Sequence, residues 1–99
     1  MDKNKYNAIV IGSGVGGLAT AVRLAKSNLK VTVIEANPFF GGKVNSKQFG
    51  DYRFDMGPSI FTEPHLINEL ITYSESKKVT FQYHKLEESC RYFFLMGKD

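Results

Sequence analysis

With 99 residues the chain has room for one domain at most, and a chain this short buries only about two-thirds of the surface it exposes when unfolded. A content of 42% hydrophobic and 23% charged residues excludes a disordered or fibrous protein, and a net charge of +3 spread over scattered lysines argues against a nucleic-acid partner. No apolar run approaches the roughly twenty residues needed to cross a bilayer, Met1 to Lys5 is not followed by the apolar region of a secretory leader, and Cys90 is the single cysteine, so a cytoplasmic protein without an internal disulfide is expected.

The elements follow in chain order. Ala8 to Ile11 is a short unbroken apolar run, the pattern of a strand covered on both faces. It leads into Gly12-x-Gly14-x-x-Gly17, and from Val15 a helical spacing begins at once. Val15, Leu18, Ala19, Val22 and Ala25 form the stripe expected to face the sheet, with Thr20, Arg23 and Lys26 toward water and Asn28 as the stop. Val31 to Ile34 is a second β-branched strand, and it ends at Glu35, eighteen residues beyond Gly17.

Strand, glycine turn, helix, strand and acid in this order predict a dinucleotide site. Glycines let the backbone turn tightly and approach phosphate oxygens, and the free N–H groups of the following helix offer partial positive charge. An acid at the end of the second strand accepts hydrogen bonds from the adenosine ribose. Glu35 would repel a 2′-phosphate, which disfavours NADP.

Residues 36 to 43 read as a loop carrying a second glycine pair, Gly41-Gly42, before Lys43, a point charge for phosphate. Val44 to Phe49 and Tyr52 to Asp55 read as antiparallel strands joined at Gly50-Asp51. A simple NAD domain would pass straight into another helix-strand unit, so the inserted Gly-Gly-Lys and hairpin favour FAD. In Asp55-Met-Gly-Pro-Ser59, Gly57 can take a positive φ, Pro58 fixes the next φ and Ser59 offers a hydroxyl. Thr62 is the expected cap of a helix begun by Glu63 and Pro64, with Leu66, Ile67, Leu70 and Ile71 as its buried stripe. Val79 to Tyr83 and Arg91 to Met96 have strand composition, and Gly97 to Asp99 reads as the start of a turn. Cys90 is read as packing, and neither His65 nor His84 has the companions of a metal or catalytic group, so no metal is expected.

Gly12-Ser-Gly-Val-Gly-Gly-Leu-Ala-Thr-Ala, Val-Ile-Glu35, Gly41-Gly42-Lys43, Phe54-Asp-Met-Gly-Pro-Ser59, the Thr-x-Pro helix start and Tyr92-Phe-Phe-Leu together resemble the amino-terminal region of the phytoene desaturase family. These are FAD-dependent carotenoid desaturases of the amine-oxidase-like flavoprotein group. The family usually carries arginine where this chain has Lys43, which keeps the charge and loses the bidentate fork.

The resemblance implies an α/β fold: a Rossmann-like βαβ unit, then short antiparallel strands and a helix, forming an incomplete FAD-binding domain over residues 1–99. The substrate domain and the later return to the FAD domain would be absent. It implies that Gly12, Ser13, Gly14, Val15, Gly16 and Gly17 surround the FAD pyrophosphate, that Glu35 and Ala36 lie at the adenosine ribose, and that Gly42 and Lys43 flank the cofactor. Gly57, Pro58, Ser59 and Ile60 would lie toward the flavin. No catalytic base is identified. The implied partner is a lipophilic carotenoid precursor, and with it peripheral membrane contact. The chain is expected to be an amino-terminal fragment with little independent activity. Two further classes stay open: another flavin oxidoreductase of the retinol saturase or amine oxidase type, and a noncatalytic binding protein like the GDP-dissociation inhibitors.

Overall fold

The computed structural model describes residues 6–97; the opening Met1 to Lys5 and the end of the expected turn at 97–99 lie outside the described residues. The elements run β1 (Asn7–Ile11), α1 (Val15–Lys26), β2 (Lys30–Ile34), β3 (Ser46–Phe49), β4 (Tyr52–Asp55) and α2 (Pro64–Ser74). β1 and β2 pair in parallel from Asn7 opposite Lys30 to Ile11 opposite Ile34. Parallel neighbours need a crossover, and α1 supplies it. The expected α/β class and βαβ unit are therefore present, followed by the hairpin and helix.

α1 stops where Asn28 was expected to stop it. Asn28 takes a left-handed φ of 63°, its N–H donates to the Ala25 carbonyl at 3.2 Å, and the Leu29 N–H reaches back to the Leu24 carbonyl at 3.3 Å. This paired closure satisfies carbonyls that the last helical turn leaves open, and asparagine tolerates the left-handed conformation better than most residues.

The face that α1 turns to the sheet differs from the expected stripe. Gly17 lies against the sheet so closely that a Cβ there would overlap the Gly12 carbonyl oxygen and sit 3.6 Å from Val10 Cγ1. Ala21 and Leu24, four and seven residues on, share that face and are half-buried, whereas of the expected stripe Val15, Leu18 and Ala25 are exposed and Ala19 and Val22 are half-buried on the side away from Gly17. Size decided this orientation: the helix approaches on its glycine because only there can the backbones come close.

The sheet is covered on one side. Val10, at 9% exposure, faces α1, while Ile11 on the opposite face is 86% exposed and Ile9 and Ile34 are also open. The expectation of a first strand buried on both faces is thus corrected, because α1 is the single helix packed on the β1–β2 pair among the described elements. A radius of gyration of 19.0 Å, against about 13 Å for a compact domain of this length, and a long axis of 73 Å mark an extended chain.

The hairpin begins two residues later than expected. Val44 belongs to a turn in which its N–H donates to the Gly41 carbonyl, and the Asn45 side chain accepts from the Ser46 N–H at 2.7 Å, so pairing starts at Ser46 opposite Asp55. Gly50 supplies the positive φ, 58°, at the first position of the two-residue loop, and Phe49 and Phe54 meet edge to face on the hairpin.

In α2 the cap is Glu63 rather than Thr62, with no side-chain capping bond; Pro64 opens the helix, where its missing N–H costs nothing. Ile67, Leu70 and Ile71 are half-buried as expected, and Leu66 is exposed. Glu75, at the end of α2, meets Lys26 of α1 at 2.9 Å.

Residues 79–83 and 91–96 form no strand. Their side chains do alternate as in extended chain, since Phe81 meets Tyr83 and Tyr92 stacks on Phe94, two residues apart in each case. No neighbouring strand pairs with them among the described residues, and β composition without a partner gives no ladder. Cys90 is exposed, which corrects its reading as packing.

Candidate functional site

The first glycine turn is built at the carboxyl ends of the parallel pair. Gly12 has a φ of 99°, and its N–H donates to the Ile34 carbonyl at 2.7 Å, which ties the end of β1 to the end of β2. The chain then enters α1 through Gly14, whose extended φ and ψ of −70° and 178° make it the cap. No side chain caps this terminus and no acid occupies its first turn. The amides at the head of α1 therefore keep the positive end of the helix dipole available for an anion.

Glu35 reaches back to this turn. Its Oε1 accepts from the Ser13 N–H at 3.0 Å and the Ser13 hydroxyl at 2.6 Å; its Oε2 accepts from the Asn37 N–H at 2.9 Å and the Asn37 side-chain amide at 3.3 Å. The Ser13 hydroxyl, followed by the backbone N–H groups of Asn37 and Ser13, lowers the Glu35 pKa from 4.5 to about 2, against a smaller opposing effect of desolvation. Ser13 itself is 2% exposed, a buried polar residue fully engaged by this carboxylate and by its own carbonyl, which accepts the Gly41 N–H at 2.8 Å.

That last bond brings the second glycine pair onto the first turn. A Cβ on Gly42 would stand 3.1 Å from Gly14 Cα. The next loop follows: a Cβ on Gly57 would overlap the Lys43 carbonyl oxygen, and the Met56 N–H donates to the Asn45 carbonyl at 2.8 Å. Gly57 does not adopt the expected positive φ; what requires glycine there is the passing Lys43 backbone. Three segments remote in sequence are thus stacked on one another at glycines.

A cleft of about 340 Å³ beside the first turn is lined by Ser13, Leu18, Val33, Glu35, Asn37, Pro38, Phe39 and Phe40. Of the residues expected in a cofactor site, Gly12 to Gly17, Glu35, Gly42 and the backbone of Lys43 and Gly57 come together. Ala36 follows Glu35 on the exposed edge of the loop, and Pro58 is exposed. Ser59 and Ile60 line a different cavity of about 670 Å³, formed with Phe61, Thr62, Phe81 and Tyr83. Asn37, Phe39 and Phe40 were not singled out in the sequence. The signal for Asn37 was a polar residue two positions past the acid, within reach of its carboxylate.

The donor set suits the adenosine diphosphate half of a dinucleotide: an uncapped helix head for the phosphates and a carboxylate for the sugar hydroxyls. Among the described residues no helix is long and apolar enough to cross a membrane.

Comparison with known proteins agrees with this arrangement. Residues 10–73 match the NAD(P)-binding Rossmann-like domain family. The chain is 48% identical over 90 residues to a 1-hydroxycarotenoid 3,4-desaturase of Flavobacterium sp. (strain P99-3), covering 91% of this chain and 18% of that protein. It is 40% and 39% identical over 90 residues to 4,4'-diaponeurosporene oxygenases of Staphylococcus aureus strains MRSA252 and Mu50, again covering 90% of this chain and 18% of theirs. The chain thus spans about a fifth of the length of these relatives. From the glycine turn on the parallel pair, the uncapped helix and the match over residues 10–73, the chain belongs to the NAD(P)-binding Rossmann-like domain family.

Proposed function

We propose that this chain is the cofactor-binding beginning of an FAD-dependent oxidoreductase that desaturates a carotenoid precursor. The observation that carries this reading is the placement of Glu35. The Gly12–Ile34 hydrogen bond sets its carboxylate beside an α1 terminus that no side chain caps. Gly12, Ser13, Gly14, Val15, Gly16 and Gly17 surround the pyrophosphate through backbone amides, and Glu35 with Ala36 receives the adenosine sugar. Gly42 and Lys43 flank the cofactor, and Gly57, Pro58, Ser59 and Ile60 lie toward its flavin end. The negative Glu35 favours an unphosphorylated sugar, which FAD has and NADP lacks.

A bound flavin would supply the hydride acceptor for the reaction. The chain's own contribution is to hold and orient: its glycines permit backbone approach and its helix head offsets phosphate charge. The carotenoid substrate rests on the relatives' names and on the family motifs. The exposed Ile9, Ile11 and Ile34 support a domain completed by further polypeptide, as does the small share of the relatives' length that the chain covers. The 99 residues alone should therefore bind flavin weakly and turn over little or no carotenoid. The test is an equilibrium titration of FAD with the purified chain, read by flavin fluorescence, beside the Glu35→Gln variant. Binding to the native chain that weakens in the variant is expected; equal binding would remove Glu35 from the site, and no binding to either chain at excess protein would remove the FAD reading.

A further inference from the structure

All four lone-pair positions of the Glu35 carboxylate are taken. Two are filled by the Ser13 N–H and hydroxyl and two by the Asn37 N–H and side-chain amide. A sugar hydroxyl that donates to Glu35 must therefore displace one of these donors. Two of the four are backbone N–H groups, held by the course of the chain. The Ser13 hydroxyl is the shortest contact, 2.6 Å, and belongs to a buried residue. The Asn37 side-chain amide is the longest, 3.3 Å, and belongs to an exposed residue that lines the cleft.

We infer that the Asn37 side chain is a displaceable placeholder for the adenosine sugar: it occupies Glu35 Oε2 in the free protein and gives way to a ribose hydroxyl when nucleotide binds. This deepens the reading of Glu35 as the sugar-binding acid and rests on it. Asn37 then sets affinity by competition, so removing its amide strengthens nucleotide binding. The Ser13 hydroxyl keeps its place throughout and holds the carboxylate in position.

The test compares ADP with 2′,3′-dideoxy-ADP on the 99-residue chain by NMR titration, in the native sequence and as Asn37→Ala. ADP is expected to bind the native chain more tightly than the dideoxy analogue. Asn37→Ala is expected to bind ADP about two- to fivefold more tightly, the size of one weak hydrogen bond. Its affinity for dideoxy-ADP should be unchanged, which also reports an intact fold. Unchanged or weaker ADP binding by Asn37→Ala, with native discrimination between the two nucleotides, would overturn the placeholder and leave Glu35 as the sugar ligand. Equal binding of the two nucleotides by the native chain, or none of either, would overturn both.

Discussion

The Ser13 hydroxyl donates to Glu35 Oε1 across 2.6 Å, joining the residue after the first glycine to the residue that follows β2, twenty-two positions later. With the Ser13 N–H on the same oxygen, it fixes the glycine turn against the second strand before any ligand arrives. This anchoring depends on the charge of Glu35. Because the carboxyl titrates at about 2 in the folded chain and ordinarily at 4.5, the anchoring is fully present above 4.5 and is lost as the pH falls through about 2. Carboxyl NMR of Glu35 should give a midpoint near 2, and Ser13→Ala should move it up toward 4.5. A native midpoint at the ordinary value would contradict the network.

Adjacent glycines in α1 should respond in opposite directions. A Cβ on Gly16 meets nothing within 4 Å, so Gly16→Ala should stabilise the chain by about 0.5–1 kcal/mol through helix propensity. A Cβ on Gly17 overlaps the Gly12 carbonyl, so Gly17→Ala should destabilise by about 1–3 kcal/mol. Urea denaturation of the two variants checks the contrast. Equal effects would mean that α1 does not pack on its Gly17 face.

At the end of α2 two small effects compete in Glu75. Its ion pair with Lys26 is largely exposed and screened by solvent, while a left-handed φ, here 57°, costs a non-glycine residue about 1–2 kcal/mol. Glu75→Gly should therefore leave stability unchanged or raise it by up to about 1 kcal/mol, despite losing the ion pair. A clear fall in the urea midpoint would show that the Lys26 contact holds α1 and α2 together.

The residues of strand composition at 79–83 and 91–96 should exchange their amide hydrogens rapidly, because no ladder protects them. Amides paired between β1 and β2 should exchange more slowly in the same sample. Protection at 91–96 would indicate a pairing partner for these residues.

What was legible in the sequence was local. The order of strand, glycine turn, helix, strand and acid placed Glu35 beside the turn, Asn28 marked the helix stop, and Gly50 marked the hairpin, because each follows from the backbone freedom or periodicity of a few neighbouring residues. What was missed depends on contacts between distant segments. The sheet-facing side of α1 follows Gly17 rather than the largest apolar residues, since close approach to the Gly12 carbonyl outweighs hydropathy. Gly57 is required by the Lys43 backbone fourteen residues earlier, which its own neighbours do not announce. Strand composition at 79–83 and 91–96 could not reveal whether a partner lies alongside. Asn37 became visible only when the chain turned its backbone and side chain onto the same carboxylate.

The proposal that the head of α1 and Glu35 together receive the adenosine diphosphate half of FAD makes a residue-level prediction. Titration of FAD into the isotope-labelled chain tests it most directly, read at each backbone amide. The largest shifts are expected at Ser13 through Gly17 and at Asn37, reduced in Glu35→Gln. Shifts confined to the cavity of Ile60, Phe61 and Phe81, or none at all, would contradict it.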